Sequence, residues 1–294
     1  MQPTEDSSPL PQLPPRNPDS HKGDFGRALL IGGSTGMAGA IGLAGMAAMR
    51  AGAGLVKLAV AEPSLPIVAG YEPGYMTAPL LADEQGRLSA RSRDAIIELC
   101  AAATAVGLGP GLGRSRDLTS LVGWLYKHIE KPLVVDADGL NALAEQPQSL
   151  AKPGGPRILT PHPGEFARLT GGQIPQPHER EQLAQQFAAR CGVVVVLKGR
   201  GTVVTDGQRV SVNTTGNPGM ATGGTGDVLT GVITALLCQS LGPYEAARLG
   251  VYLHGLAGDL AAEALGQVGM IARDLIDYLP RAIRAAYSST NPKP

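Results

Sequence analysis

The sequence is poor in two residue types that stabilise many small domains, aromatic residues and cysteines. Aromatic residues make up 4% of its 294 positions, so the core has to be built from Ala, Val, Leu and Ile. The three cysteines, Cys100, Cys191 and Cys238, are odd in number and far apart, which excludes a disulfide framework and a CxxC motif. Such cysteine usage is typical of a reducing compartment, and we expect a cytoplasmic protein.

Neither sign of charge is in excess, because 25 Lys and Arg residues balance 25 Asp and Glu residues. A broad nucleic-acid-binding surface needs a basic excess, so we expect a small-molecule protein with no nucleic-acid partner. The uncharged stretch 31–49 is crowded with Gly and Ala and lacks the ~20 apolar residues of a membrane-spanning helix. The first residues, MQPTEDSSPLPQLPP, are unlike a secretion signal because they contain no apolar segment. We expect no membrane association.

Several familiar catalytic motifs are also missing. No lysine follows a glycine anywhere in the chain, which excludes a Walker A phosphate loop. Residues 32–37 read GGSTGM and do not fit the GxGxxG fingerprint, which disfavours a Rossmann dehydrogenase. HExxH is absent as well.

Glycine, with 40 residues, and proline, with 24, are abundant instead. Residues 1–20 hold six of the prolines, and we interpret them as a flexible tail. We expect residues 21–288 to form one domain and residues 289–294 to form a short C-terminal tail.

Within this domain, short apolar runs alternate with helical patterns. The pattern predicts strands at 27–32, 55–60, 104–106, 133–135, 157–159 and 193–197, followed by a hairpin of 202–205 and 209–212. It predicts helices at 38–51, 89–101, 117–129, 179–190, 227–240, 244–265 and 272–286. Such alternation indicates an α/β fold with a mainly parallel, doubly wound sheet.

Glycine-rich or charged clusters directly follow five of the predicted strands. In chain order they read IGGSTG, GLGPGLG, DADGLN, TPHPGE and KGRGT. Ligands of open α/β sheets bind outside the carboxyl ends of the strands. The sequence therefore predicts one long cleft along this edge.

The segment 217–232, NPGMATGGTGDVLTGV, is the strongest motif. Backbone N–H groups at a helix N-terminus bind anions, and this segment predicts such an anion hole at Gly223, Gly224, Thr225 and Gly226. Asp227 lies in the first helical turn, where the helix dipole favours its ionised form. The structural alternative is a helix start capped by Thr225, with Asp227 compensating the dipole.

Three further motifs permit a functional and a structural interpretation. KGRGT suits contact with a nucleotide's phosphates or ribose edge, or is a turn with a solvated lysine. In HPGE, Glu165 is a candidate for holding a hydrated Mg²⁺, or is an early-turn acid beside a buried, hydrogen-bonding His162. In DADGLN, Asp136 is a second candidate metal ligand, whereas Asp138 is a possible N-cap.

These segments, taken in order, resemble one protein family. The resemblance rests on GDFGRALLIGGSTGMAGA, RAGAGLVKLA, GLGPGLG, VVDADGLNAL, LTPHPGEFARL, VVLKGRGTVV, GNPGMATGGTGDVLTGVI, HGLAGD and GMIARDLIDYLP. They are similar to the ADP/ATP-dependent NAD(P)H-hydrate dehydratases of the ribokinase-like superfamily, from about Lys22 to Pro280. The resemblance implies a three-layer α/β/α sandwich with a mainly parallel central sheet.

The resemblance also implies a repair activity. The S-epimer of hydrated NADH or NADPH is dehydrated to the working cofactor, with Mg²⁺ and with ADP, or alternatively ATP, as co-substrate. Phosphoryl transfer to the ring hydroxyl turns it into a good leaving group. The resemblance further implies a homotetramer that cooperates with a separate epimerase, because we expect no epimerase domain in this chain.

Residue roles follow from the same resemblance. Asp227 is expected to contact the substrate and act as catalytic base. The substrate-binding residues are expected to be Ala40, His162 and a glycine of GLGPGLG, either Gly111 or Gly113. The nucleotide-binding residues are expected to be Lys198, Gly199, Arg200, Gly201, Thr202 and Gly226.

The sequence departs from the family pattern at two positions, with Gly139 in place of alanine and Arg273 in place of serine. Two other functions stay open. A kinase of the same superfamily, acting on a hydroxymethylpyrimidine or thiazole alcohol, shares the glycine-rich loop and the aspartate. A nucleotide-binding protein without catalysis is disfavoured, because binding alone needs no placed base.

Overall fold

One mixed but mainly parallel sheet forms the centre of the computed structural model, which describes residues 4–6 and 8–288. In these residues ten strands are ordered β1-β10-β9-β8-β7-β6-β5-β2-β3-β4. The strands are β1 (Thr4–Glu5), β2 (Arg27–Gly32), β3 (Leu55–Ala61), β4 (Met76–Leu80), β5 (Ala105–Leu108), β6 (Leu133–Val135), β7 (Arg157–Leu159), β8 (Val194–Leu197), β9 (Val203–Thr205) and β10 (Arg209–Val212). Only β9 runs antiparallel to its neighbours within this sheet.

The helices lie on both faces of the sheet. They are α1 (Ala38–Arg50), α2 (Leu65–Ala69), α3 (Arg93–Ala101), α4 (Arg116–His128), α5 (Ala137–Ala144), α6 (Pro147–Leu150), α7 (Pro163–Thr170), α8 (Arg180–Cys191), α9 (Thr225–Cys238), α10 (Pro243–Leu265) and α11 (Ala272–Ser288). Short 3₁₀ turns occupy Lys22–Phe25, Glu62–Ser64, Ala90–Ser92, Pro177–Glu179 and Pro218–Met220. None of the helices in the described residues has the length and hydropathy needed to cross a bilayer.

Two buried apolar clusters separate the three layers. Side chains of a strand alternate between the two faces of a sheet. In β2, Leu30 accordingly belongs to the cluster that includes residues of α1, α9, α10 and α11. Leu29 and Ile31 belong to the cluster that includes residues of α3, α4, α5, α7 and α8. The predicted three-layer α/β/α sandwich with a mainly parallel sheet is confirmed, as is the antiparallel pairing of β9 with β10.

Small residues bring α1 and α9 unusually close. A Cβ atom at Gly231 of α9 would overlap the carbonyl oxygen of Ala44 in α1. The two backbones therefore touch without an intervening side chain, which glycine alone permits.

Two strands were not predicted, and both lie at the edges of the sheet. β4 contains Pro79 and is only partly buried, so it lacks the apolar run that marks the other strands. β1 lies in the predicted tail and pairs in parallel with β10.

The predicted tail 1–20 makes further contacts with the domain. The Asp6 carboxylate lies 3.3 Å from the Arg248 guanidinium, and the Leu13 N–H donates to the Tyr287 hydroxyl over 3.1 Å. Its flexibility and the domain boundaries stay predictions. The predicted C-terminal tail 289–294 lies outside the described residues.

The strand order reverses between β2 and β5. From β2 the chain proceeds outward to β3 and β4, and from β5 it proceeds the other way. Such a switch point opens a crevice at the carboxyl ends of the strands, and this is where α/β proteins bind ligands.

Candidate active site

The loops after β2 and β5 are joined to each other at this switch point. The Gly33 N–H donates to the Pro110 carbonyl over 2.9 Å, and the Ser34 N–H donates to the Gly111 carbonyl over 2.7 Å. A Cβ atom at Gly111 would lie 3.1 Å from the Cβ of Ala40, so these two predicted substrate-binding residues are neighbours. Gly113 lies further along the same loop, and its N–H donates to Oδ2 of Asp138 over 2.8 Å.

A buried ion pair joins the next strand ends. Asp136 follows β6 and is 1% exposed, while Lys198 follows β8. Lys198 Nζ donates to Asp136 Oδ1 over 2.7 Å, and the Thr230 hydroxyl donates to Oδ2 over 2.7 Å. Burial disfavours the charge of Lys198, but attraction by Asp136 and Glu165 outweighs this and raises its pKa. Lys198 is therefore bound to a carboxylate, and the alternative of a solvated lysine is wrong.

The glycine-rich segment before α9 presents free backbone donors. Gly224 is the N-cap, with a φ of +92° that favours glycine, and its carbonyl accepts from the Val228 N–H over 3.1 Å. The N–H groups of 223–227 donate no hydrogen bond to any part of the chain that the structure describes. Because they lie at a helix N-terminus, they can bind an anion.

Thr225 does not cap this helix, so that part of the structural alternative is wrong. It is the first residue of α9, and its hydroxyl donates to the carbonyls of Met220 and Thr222, each over 3.1 Å. Its own carbonyl lies 2.9 Å from Nε2 of His254 on α10. Since a carbonyl only accepts, this contact identifies Nε2–H as the protonated position of His254.

Asp227 has the altered acidity expected of a proton acceptor. Burial raises the pKa of Asp227 to about 7, and the negative charge of Asp136 adds to this, whereas Lys198 opposes it. A carboxylate with this pKa can take a proton at neutral pH and release it again.

His162 and Glu165 form a capping box at the start of α7. His162 Nδ1 accepts from the Gly164 N–H over 3.0 Å, and Glu165 Oε2 accepts from the His162 N–H over 2.8 Å. Glu165 is buried, whereas the His162 side chain is 51% exposed, so the alternative of a buried His162 is wrong. Partial desolvation of the ring, aided by the positive charges of Lys198 and Arg168, lowers the pKa of His162. Because Nδ1 accepts a hydrogen bond, the neutral ring carries its proton on Nε2.

A cavity of about 400 Å³ lies between these elements. Its wall includes eight of the predicted site residues, Asp136, His162, Lys198, Gly199, Gly224, Thr225, Gly226 and Asp227, together with Ala137 and Pro163. Glu165, Gly223 and 200–202 are adjacent in the chain but do not line the cavity. Gly111 and Gly113 belong to the neighbouring loop after β5, and Ala40 lies in the first turn of α1, which follows the loop after β2.

Metal binding by protein groups alone is not favoured. Within the described ranges, no three His, Cys, Asp or Glu side chains are grouped so that they could hold an ion. Asp136 and Glu165 both lie close to Lys198, at 2.7 and 3.9 Å. Mg²⁺ commonly keeps several waters and uses one or two carboxylates plus substrate phosphates, so these two residues fit an ion brought with a nucleotide.

Sequence reasoning gave no role to several residues that hold the site in place. Asp259 of α10 accepts from the Gly216 N–H and from Asn217 Nδ2, over 2.8 and 2.9 Å. It thereby fixes the segment that leads into the glycine-rich loop. Asp259 and His254 both lie in HGLAGD. This motif was part of the family resemblance, but the sequence did not indicate which residues it contacts.

Comparison with known proteins identifies the family of this chain. A family model described as NAD(P)H-hydrate dehydratase matches residues 28–281. The chain belongs to the NAD(P)H-hydrate dehydratase family.

Members of this family resemble the chain over most of its length. It is 48% identical to a bifunctional NAD(P)H-hydrate repair enzyme of Moorella thermoacetica, over 93% of the chain and 52% of that protein. It is 40% identical to an ADP-dependent (S)-NAD(P)H-hydrate dehydratase of Neisseria meningitidis, over 88% of the chain and 86% of that protein. The chain thus spans about half the length of the bifunctional repair enzymes it matches.

A solved structure of the family has the same fold. It is the ADP/ATP-dependent NAD(P)H-hydrate dehydratase from Bacillus subtilis, co-crystallised with ATP and Mg²⁺. The TM-score is 0.77 at 34% identity, covering 93% of this chain and 94% of that one. The expected ribokinase-like fold is confirmed.

The two positions expected to depart from the family pattern, Gly139 and Arg273, do not line the cavity. A Cβ atom at Gly139 would approach Val135 Cγ1 to 2.8 Å, so an alanine there needs a small shift. Arg273, on α11, makes an ion pair with Asp277 at 3.3 Å.

Proposed function

We propose that the chain dehydrates the S-epimer of hydrated NADH or NADPH back to NADH or NADPH, at the expense of ADP or ATP. The observation that carries the proposal is the position of Asp227. This carboxylate, with a pKa of about 7, lies in the first turn of α9, beside free backbone N–H groups and in the wall of one cavity. Membership of the dehydratase family supports the same reaction.

The reaction has two parts. The hydroxyl oxygen of the hydrated ring attacks the terminal phosphoryl group of the nucleotide, and Asp227 takes the hydroxyl proton. The leaving group is AMP when ADP is the donor and ADP when ATP is the donor. The ring then loses phosphate from one carbon and a proton from its neighbour, which restores the double bond. Phosphoryl transfer depends mainly on positioning and on electrostatic stabilisation. The N–H groups of 223–226 are suited to supply this for the transferring phosphoryl group.

The remaining residues bind and orient the two substrates. We assign the nucleotide to Gly226 and the loop 198–202, because Gly199 and Gly226 line the cavity beside Lys198. We assign the hydrated ring to His162, to Ala40 in the first turn of α1 and to the loop that carries Gly111, with Gly113 as the alternative glycine. His162 has its proton on Nε2 and can therefore donate a hydrogen bond to a ring substituent.

Mg²⁺, when bound with the nucleotide, would neutralise phosphate charge. Glu165 and Asp136 are the residues we assign to it, acting through water. Glu165 Oε2 already accepts from the His162 N–H, and both Asp136 oxygens accept hydrogen bonds. These contacts fix the carboxylates in one orientation without removing their remaining lone pairs.

A recovery assay tests the proposed function. The purified protein is mixed with hydrated NADH, Mg²⁺ and either ADP or ATP, and the reduced-nicotinamide absorbance is followed. Return of this absorbance with nucleotide, and not without it, establishes the dehydratase and identifies its phosphoryl donor. The ADP-dependent relative of Neisseria meningitidis favours ADP as the donor.

The alternative is a small-molecule kinase of the same superfamily. A kinase would release a stable phosphorylated alcohol, whereas a dehydratase releases free phosphate with the restored dihydropyridine. No recovery of absorbance from a folded, nucleotide-binding protein, together with a phosphorylated hydroxymethylpyrimidine or thiazole alcohol, would replace the dehydratase proposal.

We also propose that the protein is cytoplasmic, forms a homotetramer and works beside a separate epimerase. The three cysteines are buried and unpaired, which suits a reducing compartment. Analytical ultracentrifugation tests the tetramer. A mixture of the two hydrate epimers tests the epimerase. Added epimerase should raise the recovery of reduced nicotinamide above the fraction supplied by the S-epimer.

A further inference from the structure

Arg180 connects helix α8 to the loop that follows β8. It is the first residue of α8, and its guanidinium group donates to three backbone carbonyls, one of the last residue of β8 and two of this loop. Nη2 donates to the carbonyls of Leu197 and Lys198 over 2.8 and 2.9 Å, and Nη1 donates to that of Arg200 over 2.7 Å. A planar guanidinium can hold several acceptors at once, and a lysine ammonium cannot reproduce this geometry.

These contacts also fix the direction of the loop's N–H groups. In a trans peptide the C=O and the following N–H point in opposite directions. Binding of the Lys198 and Arg200 carbonyls by Arg180 therefore turns the N–H groups of Gly199 and Gly201 away from α8. Neither N–H donates to any described residue, and Gly199 lines the cavity.

The conformation of Gly199 depends on the same contact. Its φ is +136°, and a Cβ atom there would lie 3.1 Å from Arg180 Nη2. Glycine is needed both for this backbone angle and for the close approach of the guanidinium.

The charge of Arg180 is not neutralised locally. In the described part of the chain it makes no ion pair with a carboxylate. Its guanidinium nitrogens donate to the three neutral carbonyls, and its buried Nε has no acceptor there. A cation beneath a loop with free N–H groups favours an electron-rich ligand on the other side.

We propose that Arg180 is a positioning residue for nucleotide binding, which holds the loop so that the Gly199 N–H group faces an oxygen of the nucleotide. This inference rests on the proposed function, because that function assigns the loop 198–202 to the nucleotide. The oxygen belongs to a phosphate or to the ribose, and both accept hydrogen bonds.

The test compares Arg180→Met and Arg180→Lys with the wild-type enzyme and with Arg190→Met. Arg190 lies on the same helix, is exposed, and packs over the Phe187 ring at 5.3 Å instead of contacting the loop. Calorimetry measures the Kd values of ADP, AMP and adenosine, and the recovery assay gives kcat and the nucleotide KM. Urea unfolding checks that each variant is folded.

We expect Arg180→Met to raise the Kd and KM of ADP about 10- to 100-fold, with kcat reduced less than about fivefold, because binding is impaired and the base is untouched. Arg180→Lys should lie between this variant and the wild type, and Arg190→Met should stay within about twofold of it. Weaker binding of AMP with unchanged adenosine binding would identify a phosphate oxygen. Weaker binding of both would identify the ribose.

If folded Arg180→Lys and Arg180→Met both bind ADP with the wild-type Kd, this inference is overturned, but the proposed function is not. A drop in kcat at unchanged KM would overturn it as well, since Arg180 would then act on the chemical step. If Arg180→Met does not fold, Arg180→Lys decides. A wild-type protein that binds no adenine nucleotide would overturn the proposed function, and this inference with it.

Discussion

Lys198 is the counter-ion of Asp136 across the carboxyl ends of three adjacent strands. Its ammonium group bridges from β8 to the residue after β6, past β7, over 2.7 Å. The carboxylate is 1% exposed, whereas the lysine side chain is 20% exposed and lines the cavity. One side of Lys198 therefore stabilises a buried charge while the other faces the proposed nucleotide site.

Replacing Lys198 with alanine should consequently affect both binding and stability. We expect the apparent nucleotide KM to rise more than kcat falls, because the proposed contact is to the bound nucleotide. The free energy of unfolding should fall by about 3 kcal/mol, since the buried Asp136 loses its counter-ion. Steady-state kinetics and urea unfolding measure the two effects. Lys152→Ala is the control, because Lys152 is exposed. A larger effect on kcat than on KM would assign Lys198 to the chemical step.

Asp227→Asn should separate catalysis from binding. Loss of the proton acceptor is expected to reduce turnover about 10²–10⁴-fold while the fold and the Kd of ADP are kept. In the wild type, kcat should fall as the pH is lowered through about 7, because Asp227 then becomes protonated. The asparagine variant should lose this dependence in its residual activity. Near-wild-type turnover in the variant would disprove the role of Asp227.

The stability of the protein should depend on pH through two groups with opposite effects. Burial raises the pKa of Asp227 to about 7 and lowers that of His254 to about 4. Between pH 4 and 7 the folded state holds a proton on Asp227 that the unfolded state has lost, so this group makes stability fall as pH rises. Over nearly the same window His254 is neutral when folded and protonated when unfolded, so it makes stability rise with pH.

Single substitutions should reveal these opposing effects, each on the order of 3–4 kcal/mol. Asp227→Asn should be more stable than the wild type at pH 8 and lose this advantage towards pH 4. His254→Gln keeps a donor for the Thr225 carbonyl and should lose the wild type's penalty on acidification below about pH 6. Urea unfolding at pH 4.5, 6 and 8 tests both. Parallel stability curves for all three proteins would contradict the assignment.

Two adjacent glycines should respond differently to alanine. At Gly224, φ is +92° and a Cβ atom would lie 2.5 Å from Leu43 Cδ1, whereas at Gly223 the space around a Cβ is open. We expect Gly224→Ala to cost about 2 kcal/mol of stability and to weaken nucleotide binding, because the N–H groups of the following residues must turn. Gly223→Ala should change stability by less than about 0.5 kcal/mol. Equal unfolding free energies in the two variants, measured in urea, would show that the loop relaxes freely.

The sequence was sufficient for most elements and for the position of the site. Six of the strands are apolar runs, and the helices α1, α4, α8, α9, α10 and α11 lie within two residues of their predicted bounds. Because the clusters follow parallel strands, sequence order alone placed them at one edge of the sheet. Edge strands lack this signal, which is why β1 and β4 were missed.

Contacts between distant side chains were not predictable. Thr230 and Asp136 are 94 residues apart, and their hydrogen bond depends on how α9 crosses the sheet, which no local pattern states. The role of Arg180 was not predictable for another reason. Its partners are backbone carbonyl groups, which every residue has, so no sequence motif marks them. Asp138 was expected as a possible N-cap, but Asp136 is the N-cap residue of α5, and Asp138 accepts from the Gly113 N–H instead.

The touching backbones of α1 and α9 have a consequence for the accuracy of the site. α1 carries Ala40 and α9 carries Asp227, so the contact of Gly231 with Ala44 sets the spacing between two parts of the proposed active site. Main-chain atoms have no rotamers, and this spacing therefore cannot drift when side chains rearrange on warming. The contact limits how closely the two helices can approach each other. We therefore expect the alignment of base and substrate to stay constant until the domain itself unfolds.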